Sequence, residues 1–366
     1  MVDRQALQVS AKSKDGGRRA LVVGGNGAAG SAIIQALQDD GGWEIHSLNR
    51  SPARVSEANP AVVSVQASLL DEAALRVALR DCGAITHVFY AARLVAPSLD
   101  EEIAINTKVF ATLVNSALDL VPELRHVVLI EGTKWYGSHL GHYPVPAVES
   151  HSTSQPYFYH HQQAMLEKWA LEGRLSWTAF RPHTLLSDAR RTDHNLLLLL
   201  AFYASVMAER GETIPFPGTL ARYTLPTTAS NTDTLGEACA WSAEAASARN
   251  QAFNINNGDS LLWAEVWPRI CEFFGRQAAE PGGTSLRECM PGSASAWRKI
   301  VQRHALVETS WPSEAEWAYA DGIVRPDRPD IIDISKLKSA GFDPTASTLD
   351  SILNILGRFR HARLIP

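Results

Sequence analysis

The stretch Ala20-Leu21-Val22-Val23-Gly24-Gly25-Asn26-Gly27-Ala28-Ala29-Gly30, followed by residues 31–37 with apolar side chains at helical spacing, decides the fold. A short apolar run, closely spaced glycines and an amphipathic run are what a strand, a tight turn and a helix start require. This arrangement lets the main chain approach a dinucleotide pyrophosphate. Glycines keep that approach open, and the helix N-terminus adds free N–H groups and a partial positive charge.

Working outward, strand-like runs at residues 43–49, 61–67, 85–91, 125–130 and 176–180 alternate with helical patterns at 71–79, 101–118 and 159–171. Such alternation predicts an α/β fold, a doubly wound parallel Rossmann sheet with helices on both faces. Past Arg181-Pro182 a leucine-rich helix, a break at residues 214–218 and a helix at 233–246 precede one more strand-like run at 251–258. From Leu261 the chain is mostly helical and rich in tryptophan, with breaks at 281–283 and 325–329. The expected division is a polar tail at 1–18, a dinucleotide-binding domain at 19–190 and 221–260, and a smaller, mostly helical C-terminal substrate lobe at 191–220 and 261–366.

Composition narrows the function. The chain has 366 residues and a net charge of −5, with scattered basic residues, so neither a nucleic acid nor an anionic membrane is an expected partner. A small molecule is expected instead, with a homodimer the one assembly kept open. Cys82, Cys239, Cys271 and Cys289 are far apart and lack metal-ligand spacing, reading as reduced thiols of a cytoplasmic protein. The N-terminus lacks the apolar core of a secretory signal, and the longest apolar run, residues 196–207, is too short to span a bilayer.

The glycines fit two registers, Gly25-x-Gly27-x-x-Gly30 and Gly24-x-x-Gly27-x-x-Gly30, the second being the spacing of short-chain dehydrogenases; Gly27 and Gly30 serve both. About 20 residues on, where an NAD-binding chain places a carboxylate for the ribose 2′-hydroxyl, this sequence reads Leu48-Asn49-Arg50-Ser51. Arg50 can neutralise a 2′-phosphate, so NADPH/NADP+ is the expected cofactor, against the reading of Arg50 as an ordinary exposed arginine. The commonest catalytic pair of this fold, Tyr with Lys four residues later, is absent, since Tyr159 is followed by Gln163. A lysine stands instead in Glu131-Gly132-Thr133-Lys134-Trp135-Tyr136, at the end of a strand.

Gly132-Thr133-Lys134-x-Tyr136, with Phe158-Tyr159 opening a helix, resembles the progesterone 5β-reductase/iridoid synthase-like (PRISE) family of atypical short-chain dehydrogenases/reductases. The likeness continues through Thr86-His87-Val88-Phe89-Tyr90, Arg181-Pro182, Ala252-Phe253-Asn254, Asn257-Gly258-Asp259, Trp317-Ala318-Tyr319-Ala320-Asp321 and Leu364-Ile365-Pro366, nearly the whole chain. It implies Lys134 and Tyr159 as catalytic residues. Cofactor contacts are expected from Gly24, Gly27, Ala28, Ala29, Gly30, Asn49, Arg50, Ser68, Leu69, Ala91, Lys134, Tyr159, Pro182, His183 and Leu185. The substrate is expected against Arg93, Trp135, His139, Phe202, Met207 and Tyr319. Departures from the family pattern are His160 for a second tyrosine, Gln162-Gln163 for an acidic pair, His183 for a glycine and Ser68 for an acid.

The implied chemistry is NADPH-dependent 1,4-reduction of an enone or enal. Tyr159 stabilises the enolate oxygen, while Lys134 lowers the Tyr159 pKa and holds the nicotinamide ribose. The substrate could be a Δ4-3-ketosteroid, a monoterpenoid or a small enone. Direct carbonyl reduction by the same pair and a non-catalytic NADP(H)-sensing role are the alternatives. No metal is expected: His160-His161 point in different directions on a helix and lack a third ligand at suitable spacing.

Overall fold

A computed structural model describes residues 17–52, 61–211 and 213–366. Most of the expected polar tail lies outside the described residues, and its last residue, Arg18, already opens the first strand. The main sheet contains β1 (Arg18–Val23), β2 (Trp43–Asn49), β3 (Val62–Gln66), β4 (His87–Tyr90), β5 (His126–Ile130) and β6 (Ser176–Pro182). Short strands β7 (Thr184–Leu186), β8 (Thr213–Pro215) and β9 (Ala229–Asn231) lie outside it, and β10 (Gln251–Ile255) returns to its edge. The seven strands run in the order β10-β6-β5-β4-β1-β2-β3, and every adjacent pair is parallel. All their C-terminal ends therefore emerge along one side, where ligands of open α/β sheets bind at the reversal of strand order. That reversal falls between β1 and β4.

Alternation along β1 builds two cores. Ala20 and Val22 join Ile33, Ile34, Leu235 and Ala238 on one face, whereas Leu21 and Val23 join Leu75, Phe110 and Leu166 on the other. The first face carries α1 (Ala28–Asp40). Opposite lie α2 (Glu72–Cys82), α3 (Leu99–Leu120) and α4 (Phe158–Leu171). The start of α3 precedes the expected residue 101 because the Ser98 hydroxyl accepts from the Glu101 N–H; Asp100, Glu101 and Glu102 then meet the positive end of the helix dipole.

The lobe is built on α5 (Leu196–Arg210), whose residues 196–206 are all buried. A helix apolar all round belongs in a core, and α5 is covered by α10 (Ala294–Arg303), α11 (Glu314–Val324) and α13 (Thr348–His361). Between α5 and α10 come α6 (Leu220–Thr224), α7 (Thr232–Glu244), α8 (Trp263–Phe273), β11 (Gln277–Ala279) and α9 (Leu286–Cys289). Helix α7 packs on α1, so closely that a Cβ on Gly236 would lie 2.5 Å from the Ala32 carbonyl oxygen. Trp267, Trp297 and Trp317 are fully enclosed in the lobe core. One expectation changes here. Residues 261–366 do not all belong to the lobe, because Ile334 and Leu337, flanking and within α12 (Ser335–Ser339), enter the core of the sheet. Among the described residues no helix is long and apolar enough to cross a membrane, and the four cysteines form no disulfide.

Candidate functional site

The glycine turn is sterically committed. Gly24 has φ +84°, and a Cβ there would press on the backbone of Ala91 and Ala92 at the end of β4. A Cβ on Gly25 would meet Ser47 Oγ at 2.1 Å, and one on Gly30 would meet the Gly24 carbonyl oxygen at 2.2 Å. Gly27 donates its N–H to that same carbonyl at 2.9 Å and is the N-cap of α1, without a side-chain cap and without an acid in the first turn. The N–H groups of Ala28, Ala29 and Gly30 thus face outward at a positive helix end, a fit for a dinucleotide pyrophosphate. Asn49, expected as a cofactor contact, is also engaged within the protein. Its Oδ1 accepts from the Asn26 N–H at 2.9 Å and its Nδ2 donates to Ser47 Oγ at 2.9 Å, so the side chain pins the glycine turn to β2. Arg50, next in line, is exposed beyond the strand end. Ser68 accepts from the Leu70 N–H at 3.3 Å, shaping the turn before α2, and Leu69 is buried in the core of that face.

Arg181 organises the far end of the sheet. Its Nε donates to Glu131 Oε2 at 2.8 Å, Nη2 to Gln163 Oε1 at 2.8 Å and Nη1 to the Glu149 carbonyl at 3.1 Å. Its guanidinium lies 3.6 Å from the Trp135 ring centroid. One side chain on β6 thereby ties β5, the turn after it and α4 together, which fixes where Tyr159 stands. A Cβ on Gly132 would lie 3.7 Å from the Tyr159 hydroxyl and 3.8 Å from the Pro182 carbonyl oxygen, so the hydroxyl sits at the C-terminal ends of β5 and β6. Among the described residues it has no hydrogen-bond partner.

The structure does not place Lys134 on Tyr159. Lys134 Nζ donates to the Tyr157 hydroxyl at 3.1 Å and stands 3.9 Å from Glu102 Oε1. The Tyr157 hydroxyl in turn donates to Glu102, which also receives Arg93 through Nε at 2.9 Å and Nη2 at 2.8 Å. Burial works against the charge of Glu102, yet Tyr157, Arg93 and Lys134 together hold its carboxyl below the usual range. Burial, reinforced by Arg93, brings the Lys134 ammonium down to about 8. Tyr159 is pushed up to about 12 by burial, and the only cation opposing this is Arg93. Lys134, expected to lower the Tyr159 pKa, is not among the groups that act on it, and burial raises it instead.

Of the expected substrate residues, some gather here and some do not. Arg93 Nη1 lies 3.3 Å from His194 Nε2, whose ring makes an edge contact with Tyr319 at 4.9 Å, joining the sheet domain to the lobe. His139 packs on Tyr157 at 5.1 Å. Trp135 is enclosed, stacked on His160 at 4.0 Å with its indole N–H on the His151 carbonyl. Phe202 is fully buried against Trp297 and Trp311, because α5 has no exposed face to offer it. Met207 packs on the same core, about 16 Å along the helix from its first residue, Leu196. His183 turns into the interlobe region, with Nε2 2.9 Å from Asp330 Oδ1, and Leu185 packs against the core of the sheet. Glu102, Tyr157 and His194 were missed by sequence reasoning; the only available signals were an acid in the first turn after Arg93 and a tyrosine two residues before Tyr159. Among the described residues no three His, Cys, Asp or Glu side chains gather as metal ligands.

Comparison with known proteins places this geometry in a lineage. The model of the PRISE-like Rossmann-fold domain matches residues 61–366. The chain belongs to the PRISE-like family. Within it, the chain is 28% identical over 375 residues to (S)-8-oxocitronellyl enol synthase of Antirrhinum majus, covering 95% of this chain and 92% of the relative. It is 25% identical over 362 residues to 3-oxo-Δ(4,5)-steroid 5β-reductase of Arabidopsis thaliana, covering 95% and 93%. Among solved structures, the NAD complex of Thermus thermophilus UDP-glucose 4-epimerase superposes with a TM-score of 0.65 at 16% identity, over 94% of this chain and 99% of that one. The NADP-bound GDP-mannoheptose C4 reductase of Campylobacter jejuni gives 0.64 at 14% identity, over 94% and 98%. These two share the Rossmann architecture. The PRISE-like assignment makes the chain an oxidoreductase of the short-chain dehydrogenase/reductase type.

Proposed function

We propose that this PRISE-like protein is an NADPH-dependent reductase of the activated C=C bond of an enone or enal. The observation that carries the reading is the Tyr159 hydroxyl, raised in pKa by burial, without a hydrogen-bond partner among the described residues and held at the ends of β5 and β6. Relatives named for an oxocitronellyl enol synthase and a steroid 5β-reductase support it.

Gly24, Gly27 and the first N–H groups of α1 would hold the cofactor pyrophosphate, Arg50 the 2′-phosphate, and Pro182 and the ammonium of Lys134 the nicotinamide end. The cofactor supplies a hydride equivalent when bound. Tyr159 donates its O–H to the substrate carbonyl oxygen, on which negative charge grows as the β-carbon is reduced, and a preorganised donor is worth more there than one recruited from water. Arg93, the cation acting on Tyr159, strengthens that donor. Glu102 and Tyr157 hold Lys134 in place, and a proton from solvent completes the α-carbon. The substrate is a small molecule.

The experiment is NADPH oxidation by the purified protein with cyclic and linear enones, products identified by mass and NMR. Saturated ketones or aldehydes are expected; allylic alcohols as sole products, or no turnover across the panel, sink the reading.

A further inference from the structure

A cluster at the boundary between the sheet domain and the lobe takes no part in the chemistry above. Asp330 Oδ1 accepts from His183 Nε2 at 2.9 Å and from the Tyr143 hydroxyl, and Asp330 Oδ2 stands 3.7 Å from Arg222 Nη2. Burial works against the Asp330 charge, but His183, Tyr143 and Arg222 hold the carboxyl far below its usual range. It is therefore a fixed anion. Arg222 is the anomaly. Its side chain is 1% exposed, yet Nε, Nη1 and Nη2 have no hydrogen-bond partner. Arg328 Nε and His183 Nδ1 are likewise buried and unmatched, and the Arg328 guanidinium lies 5.6 Å from the Tyr143 ring centroid.

A guanidinium presents five donors in a rigid fork, and leaving them unmatched away from water costs about 1–3 kcal/mol per group, more when charged. One carboxylate oxygen 3.7 Å away, on a carboxylate already engaged by two closer donors, does not answer three nitrogens. The unmatched atoms of Arg222 and Arg328 are all N–H donors, so what completes them is an acceptor. Two guanidinium charges face the carboxylate of Asp330, with the exposed Asp327 also acting on Arg222, and a planar or tetrahedral oxyanion suits the Arg fork.

We propose that Arg222, with Arg328, forms an oxyanion-binding site for a carboxylate or phosphate group. The site lies where the two parts meet, with Tyr143, His183 and Arg222 from residues 19–190 and 221–260 and Arg328 and Asp330 from residues 261–366. The 17% exposed side chain of Asp330 and the half-buried Arg328 link it to the surface. It adjoins the reaction region, since His183 directly follows Pro182, whose carbonyl oxygen and the Tyr159 hydroxyl both lie within 4 Å of where a Cβ on Gly132 would stand. An acid group carried by the substrate, or a free inorganic oxyanion, has the right chemistry, and the two can be told apart.

Thermal unfolding of the full chain, saturated with NADP+ and titrated at constant ionic strength with sodium phosphate or sodium acetate in place of chloride, reads the site without reference to turnover. A saturable rise in midpoint of about 2 °C at tenfold over the dissociation constant is expected for a chain of this size. Arg222→Leu should abolish it, and Arg328→Gln, which leaves the buried pair intact, should weaken binding at least fivefold. Tyr159→Phe should keep it, so loss of the proposed reductase reading leaves the site standing. Two enone substrates then separate the sources, cyclohexenone itself and a cyclohexenone bearing a ring carboxylate. If phosphate raises KM for the carboxylated enone and leaves KM for the plain enone unchanged, the site belongs to the substrate's acid group. No effect on either substrate assigns it to a free ion. A linear, non-saturating rise shared by wild type and Arg328→Gln, or no rise, overturns the proposal.

Discussion

Lys134 Nζ lies 3.1 Å from the hydroxyl of Tyr157, and Tyr159, two residues on, is left with a hydroxyl that bonds to none of the described residues. The two tyrosines therefore have separate tasks. Tyr157 links Lys134 to Glu102, whereas Tyr159 is the tyrosine that the proposed function assigns to the substrate. Tyr159→Phe should lower kcat by about 10²–10⁴-fold, the usual worth of a positioned proton donor, with NADPH affinity close to that of wild type. Tyr157→Phe should cost far less in kcat but move the alkaline limb of the pH profile, which a purely structural tyrosine would leave in place. Steady-state kinetics and fluorescence titration with NADPH check both variants.

The pH dependence follows from Lys134. Its ammonium is brought down to about 8 by burial and by Arg93, so it is charged below that pH and neutral above it. If it holds the cofactor ribose, kcat/KM should fall as pH rises through about 8, and Lys134→Met should flatten that limb while lowering activity throughout. Stability runs the other way. Between about 8 and the ordinary lysine value the unfolded chain binds more protons, so this group's contribution to folding stability rises with pH across that window. Denaturation midpoints at neutral pH and in the middle of that window, compared between wild type and Lys134→Met, isolate it.

Cofactor choice rests on Arg50. A charge-assisted contact to a 2′-phosphate is worth about 1.5–3 kcal/mol, so Arg50→Asp should reduce the preference for NADPH over NADH by roughly 10–150-fold. Dissociation constants for the two cofactors measure this directly, and an unchanged ratio would remove Arg50 from the cofactor site.

The cradle makes a steric prediction. Because a Cβ on Gly30 would stand 2.2 Å from the Gly24 carbonyl oxygen, Gly30→Ala must push α1 away from β1, at a cost of about 1–3 kcal/mol in stability. Loss of measurable NADPH binding in calorimetry, with the remaining fold intact by circular dichroism, is expected. Gly27→Ala, whose Cβ would lie 3.2 Å from the same oxygen, should be milder.

The cradle was legible in the sequence because strand, turn and helix start are local, and three glycines report a crowding that neighbours in the chain produce. The parallel sheet was legible for a similar reason, its strands being apolar runs spaced by helical patterns. Lys134 drew attention as a lysine at a strand end and Tyr159 through family resemblance, but nothing in the sequence said that Lys134 turns to Tyr157 and not to Tyr159. Glu102 and Tyr157 are distant from Lys134 in sequence, and nothing local says that the lysine turns toward them. Phe202 failed differently: a helix apolar on every side carries no phase, so the residue could be placed at the cleft or in the core with equal justice until Trp297 and Trp311 closed over it. The engagement of the Asn49 amide with the Asn26 N–H and Ser47 was not legible, because a polar residue at a strand end carries no mark of which partners it takes.

The buried pair Arg181–Glu131 offers the last test, of how far the position of Tyr159 depends on charge. Both side chains are at most 1% exposed and meet at 2.8 Å. Removing one partner strands the other, at a cost of about 3–5 kcal/mol, while replacing both with apolar groups of similar size is often near neutral. Glu131→Met should therefore destabilise strongly in urea. Arg181→Met should do so as well, and should in addition release Gln163 on α4, the helix that carries Tyr159. The double variant should recover much of the stability lost in Glu131→Met but little of the activity, because Gln163 and the Glu149 carbonyl remain without their donor. Recovery of activity along with stability would mean that α4 is placed by packing alone, and that Arg181 serves only to neutralise Glu131.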